Sequence, residues 1–335
     1  MLQHFAITPD VFDPATLQEM SPQGCLLLTL LQKITDGGLL ANLHAGQWWK
    51  EAIEHHDYQE LSMQLQDELR VQLSLLSDRN RLVKHPTGSV EFEQDDFRWL
   101  KWALERNQTE RSKSIDCVIA TDDLIELSKL NENVLLALNK TAYHSSLKQP
   151  IRTIEIAKTR SNLVKHLTPI CRYAQKVTLI DPYMNCYEPR WMTTIQIVAD
   201  LLGKNDGHHA AGTVHIHAGN PQKAKASWGE NIEDRLDSWE TKLKGMARPG
   251  GHTYRVFLWG SKPRGPVFHD RYVITDQCGL TIGAGLDCYD DKKSEQAVRT
   301  SLALMTYDDS RNILTNQFHK SKSPYNFLGK RLIEP

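Results

Sequence analysis

From residue 151 onward the chain keeps one rhythm, a short apolar stretch followed by a stretch with helical spacing, and few folds accept that order. Residues 151–157 (IRTIEIA) alternate apolar and polar like a strand, 161–174 read as a helix, and 177–180 form an apolar strand ending in Asp181-Pro182-Tyr183. A helix at 191–202, a strand at 213–218 (TVHIHA), a charged helix within 222–246 and a strand at 254–258 (YRVFL) continue the run. A strand at 301–306 and a helix at 310–320 close it. This succession predicts a sheet with helices on its faces.

Inside that run lies 267–287, VFHDRYVITDQCGLTIGAGLD. It reads as a strand carrying polar groups, a turn at Asp276-Gln277-Cys278-Gly279, and a second strand running into Gly283-Ala284-Gly285. Residues two apart share a strand face, so His269 and Arg271 point one way and Asp270 the other. Asp276 falls where the first strand turns. A nucleophile or acid beside a fixed cation, with a carboxylate nearby, suits attack on a phosphodiester.

The spacing His-x-Arg-x4-Asp, followed by the glycines, resembles the signature of the phospholipase D superfamily, His-x-Lys-x4-Asp with a Gly-Ser segment after it. Arg271 stands where that family has Lys, and Ala284 where Ser is common. The resemblance spans about half of the chain, ~151–320. It implies a mixed sheet flanked by helices and a metal-independent phosphodiesterase with no cofactor. In that chemistry His269 attacks phosphorus and forms a phosphohistidine, while a second histidine protonates the leaving oxygen and then activates water. Arg271 would hold non-bridging phosphate oxygens, and Asp276 would orient or support a histidine. One motif occurs where two are needed, which implies a homodimer with two copies of His269 meeting at a two-fold axis. His215 and His217 share a strand face, but no Lys, Arg or Asp follows at the required spacing; they read as a polar strand face. Lys262 and Arg264 before the motif, Lys292 and Lys293 after it, are candidate contacts to a nucleic-acid backbone. Gly283, Gly285 and Asp287 complete the expected substrate site. Asp181 and Asp287 either share that cleft or cap elements.

The first half has a different character. Residues 4–8 suggest a strand closed by Pro9-Asp10 and a turn at Asp13-Pro14. A helix follows, with Ser21 as N-cap, Pro22 at its first position and Gly37-Gly38 at its end. One long helix or two occupy 48–78, and another occupies 95–106, with Asp95 and Asp96 where the helix dipole favours them. A strand at 116–121 ends in Thr121-Asp122-Asp123 before a helix at 124–130. Carboxylates there lie where α/β sites form. Together with Asp10 or Asp13 they faintly resemble the metal site of PIN-type nucleases; equally, Asp122 or Asp123 caps the helix. Residues 145–150 (SSLKQP) read as a linker. The expected architecture is therefore α/β: a mainly helical α/β domain over 1–145, and a phospholipase D-like mixed sheet flanked by helices over 146–335.

The 335-residue length fits two domains. A net charge of −1 means that nucleic acid would meet only a local basic patch. No apolar run approaches ~18 residues, and the first residues lack the pattern of a signal peptide, so neither a membrane partner nor export is expected. The six cysteines show no CxxC or paired zinc spacing, which fits a reducing cytoplasm and no bound metal. Three functions follow as expectations. The first is a nuclease cleaving DNA or RNA, of the kind used in bacterial anti-phage defence, with the N-terminal domain choosing a protein partner or target. The second is a catalytically silent phospholipase D-fold module that binds nucleic acid or a partner. The third is a metal-dependent PIN-like nuclease built on Asp10 and Asp122.

Overall fold

The computed structural model describes residues 2–17, 22–54, 60–85, 97–109, 115–130, 132–141, 153–205, 208–209, 211–219, 231–246, 251–289 and 298–335. The chain divides into two compact units, Met1–Pro150 and Ile151–Pro335. The N-cap expected at Ser21, the acidic pair Asp95 and Asp96, the stretch 145–150, and Lys292 and Lys293 lie outside the described residues.

The first unit holds a five-stranded, wholly parallel sheet in the order β3-β2-β1-β4-β5. Its strands are β1 (Gln3–Ile7), β2 (Gly38–Asn42), β3 (Leu82–Lys84), β4 (Cys117–Ala120) and β5 (Leu135–Ala137). The helices α1 (Pro22–Gly37), α2 (Met63–Asp78), α3 (Arg98–Thr109) and α4 (Asp122–Ser128) connect them. Every residue of β4, CVIA, is buried, as expected of a strand covered on both faces. Helix α1 turns Leu27, Leu30, Leu31 and Ile34 into the same core as Phe5, Ile7, Trp48 and Trp102. Helix α2 begins where the Ser62 hydroxyl accepts from the Leu65 amide at 3.2 Å, and it buries Leu69, Leu73 and Leu76 along one stripe. Strands β2, β3 and β5 were not expected from the sequence. They are short, and each follows a helix or turn without a period of its own.

The second unit is organised around an eight-stranded mixed sheet. Its elements are β6 (Thr153–Ala157), α5 (Arg160–Cys171), β7 (Lys176–Asp181), α6 (Pro189–Leu201), β8 (Thr213–Gly219), α7 (Ile232–Lys244), β9 (Thr253–Gly260), β10 (Tyr272–Thr275), β11 (Gly279–Ile282), β12 (Arg299–Met305), α8 (Tyr307–Asn312) and β13 (Asn326–Ile333). Across the sheet the order is β13-β9-β8-β7-β10-β11-β12-β6. Strands β7, β8 and β9 run parallel, joined through α6 and α7, while the remaining neighbours pair antiparallel.

The two faces of β7 separate cleanly. Leu179 pairs with Ile216 and Val273, and Asp181 continues that face. Ile180, one residue over, joins an aromatic core on the other face with Trp259, Phe268, Ile274, Phe318 and Tyr325. The α/β architecture and mixed sheet match the expectation, with β13 added as an edge strand. One detail is corrected: His269 and Arg271 are not within a strand. The ladder begins at Tyr272, and the motif lies on the extended segment leading into β10. Its alternation persists nonetheless. Arg271 follows the Val273 face toward Asp181, whereas Asp270 takes the opposite face, where, after burial, its charge helps to raise the Tyr272 hydroxyl to about 12.

Candidate active site at the end of β7

Strand β7 ends in Asp181, and the chain turns immediately because the Tyr183 amide donates to Asp181 Oδ1 at 2.8 Å. The other carboxylate oxygen lies 3.4 Å from Arg271 Nε. Arg271 Nη1 donates to the Gly283 carbonyl at 2.7 Å, and the guanidinium lies over the Tyr183 ring, 5.1 Å from its centroid. These contacts use Nε and Nη1, so Nη2 is the nitrogen left for a ligand in the pocket that Arg271 lines. The pocket measures about 340 Å³ and is bounded by Asp181, Tyr183, Arg190, Arg271, Gly285 and Asp287, among others.

His269 is exposed, with Nδ1 3.5 Å from the Tyr183 hydroxyl. It stands at the rim, reached through Tyr183, and not among the lining residues. With Nδ1 protonated toward the tyrosine oxygen, Nε2 carries the lone pair of a nucleophile.

The glycine loop explains its own composition. Gly285 has φ of +82°, and a Cβ there would sit 3.1 Å from Asp181 Oδ2. A Cβ on Gly283 would meet Ser301 Oγ at 2.5 Å. The loop ends at Asp287, which pairs with Lys158 and, at 3.2 Å, with Arg190. Lys158 also donates to the Ala284 carbonyl at 3.1 Å, and its side chain is almost fully buried. Burial pushes the Asp181 carboxyl up to about 6; the Tyr183 amide and Arg271 pull it down, while Asp287 pushes it further up.

The structure brings together His269, Arg271, Gly283, Gly285, Asp287 and Asp181, and leaves other expected residues outside. Asp276 sits at the far end of β10 from His269. There it accepts from the Gln175 amide at 3.2 Å and the Lys176 amide at 3.5 Å, so it ties the start of β7 to the β10–β11 turn instead of orienting a histidine. Burial raises its carboxyl above the ordinary value against these backbone donors. Lys262 Nζ donates to the Ser323 carbonyl at 2.6 Å, and Arg264 occupies an exposed turn with φ of 59°. Neither lines the pocket.

Three residues of the site were missed in the sequence: Lys158, Tyr183 and Arg190. Lys158 gave no signal, because its partners lie far away in the chain. Arg190 did give one. A cation in the first turn of α6 runs against the helix dipole and needs an outside partner, which Asp287 supplies.

In the first unit, Asp10 and Asp122 both lie at the C-terminal edge of the parallel sheet. Asp10 Oδ2 accepts from the Thr121 hydroxyl and amide, at 2.5 and 3.1 Å, and Thr121 is also the N-cap of α4. Among the described residues there is no group of three or more His, Cys, Asp or Glu side chains placed to hold a metal ion. Among them, too, no helix is long and apolar enough to cross a membrane. No family model matches the chain, and no curated protein matches it in sequence.

Proposed function

We propose that the second unit is a phosphodiesterase of the phospholipase D superfamily, cleaving DNA or RNA without a metal through a phosphohistidine at His269. The observation that carries this reading is the placement of the exposed His269 imidazole, through Tyr183, beside a pocket lined by Arg271. His269 Nε2 attacks phosphorus and the ester oxygen departs with a proton from a second histidine. Water activated by that histidine then hydrolyses the P–N bond and regenerates His269. Arg271 stabilises the equatorial oxygens during both steps. In this proposal the second histidine is His269 of another copy, so the active species is a homodimer. A cytoplasmic setting in anti-phage defence, and partner or target recognition by the first unit, belong to the same proposal.

A silent binding module is the second reading, and one observation favours it. Arg271 already spends two nitrogens on Asp181 and Gly283 and its face on Tyr183. Cleavage of single- and double-stranded DNA and RNA in EDTA, by wild type and His269→Ala, separates the two. The phosphodiesterase reading expects cleavage in EDTA that His269→Ala abolishes. Cleavage that survives the substitution overturns it, and binding without cleavage of any substrate supports the silent module.

A further inference from the structure

A second pocket, of about 320 Å³, opens on the sheet face opposite Asp181, within the size range of small-ligand sites. Its sheet side is built by β7, β8, β9 and β13 through Thr178, His217, Phe257 and Phe327, and Phe318 walls it from outside the sheet. The function proposed above uses none of these residues.

Its chemistry is one-sided. Lys176, Lys320 and Lys330 line it, and no carboxylate does. Burial holds His217 well below its ordinary value and brings His215 down to about 3, so both imidazoles are neutral at physiological pH. Trp259 Nε1 donates to His217 Nδ1 at 3.0 Å, which places the proton of neutral His217 on Nε2 as a donor. The Thr178 hydroxyl, on a residue 1% exposed, is buried with no hydrogen-bond partner among the described residues. The rings are already stacked: His217 lies 4.5 Å from Phe257 at 23° and 5.8 Å from Trp259 at 11°. Phe257 and Phe327 remain only partly covered.

We propose that this pocket binds a nucleotide, with the base stacked on the aromatic walls and accepting from His217, and the phosphate at Lys320 and Lys330. The aromatic faces select a planar ring. Donors without carboxylates select acceptor edges, and the ammonium groups of Lys320 and Lys330 suit an anion. This site is separate from the His269 pocket and does not depend on the phosphodiesterase reading.

The test is calorimetric titration of the full chain with AMP, GMP, CMP and UMP, with adenosine and inorganic phosphate as comparators. At least one nucleotide should bind once per chain, with adenosine and phosphate each at least about tenfold weaker. The exposed pair Lys320→Glu/Lys330→Glu should lose at least about tenfold in affinity with an unchanged circular dichroism spectrum. His269→Ala should bind as wild type does. The proposal is overturned if no nucleotide binds at about 1 mM, if phosphate binds as tightly as the nucleotide, or if the lysine pair binds normally. It is equally overturned if His269→Ala removes the binding, which would place the nucleotide in the other pocket.

Discussion

Asp181→Asn is the most informative change in the β7 pocket, because it removes a charge while keeping the shape. The asparagine oxygen can still accept from the Tyr183 amide, so the turn after β7 is retained. What disappears is a carboxyl that burial has raised from 3.8 to about 6. A raised carboxyl means that the folded state holds its proton more tightly than the unfolded chain. Below pH ~4 both states are protonated and the group costs nothing; as pH rises through ~6 the folded state must ionise a buried acid, and stability falls. At 1.36 kcal/mol per pH unit, the full effect is about 3 kcal/mol. The Arg271 attraction appears only as Asp181 ionises, and the value of about 6 already includes it. Urea denaturation of the full chain at pH 4.5 and at 7.5 therefore has a defined outcome. About 1 kcal/mol of this is already present at pH 4.5, where the unfolded chain is mostly ionised, so the stability of the variant relative to wild type should rise between the two pH values by about 2 kcal/mol. A difference that stays flat or falls would mean that Arg271 outweighs burial, and the account of the pocket's electrostatics would be wrong.

Arg271→Lys should keep kcat/KM within about tenfold of wild type, since a point charge still reaches the phosphate, whereas Arg271→Ala should lose at least about 100-fold; steady-state kinetics on one oligonucleotide substrate decide it. Gly285→Ala should cost about 1–2 kcal/mol in denaturation for its positive φ, and should also depress cleavage, because the added methyl crowds Asp181. Asp276→Ala should destabilise by about 1–2 kcal/mol with kcat unchanged, because it frees the Gln175 and Lys176 amides and touches nothing at His269; a large fall in kcat at unchanged stability would return Asp276 to the active site.

Local sequence pattern carried the elements that have a strong period. The apolar strands β7 and β8, the helix α6, read at 191–202, and the alternation that sends Arg271 and Asp270 to opposite faces were all legible. Strand β13 was not, because FLGKRL mixes glycine and charge and stands as a strand only by pairing with β9. The site was legible to the extent that it is local. His269, Arg271 and the glycines fall within one hairpin, whereas the Lys158–Asp287–Arg190 cluster joins three distant segments that only the closed sheet brings together. Asp276 shows the opposite error. Its spacing from His269 is fixed by the length of β10, and four residues of strand carry it away from the histidine to the other end of the ladder.

The central claim concerns one covalent bond, between phosphorus and His269. Rapid acid-free quenching of the enzyme with a 32P-labelled oligonucleotide, followed by peptide mapping, observes it directly. The account predicts a base-stable, acid-labile label on the peptide containing His269, absent from His269→Ala. Cleavage that proceeds with no such label, or with the label on another residue, would contradict it.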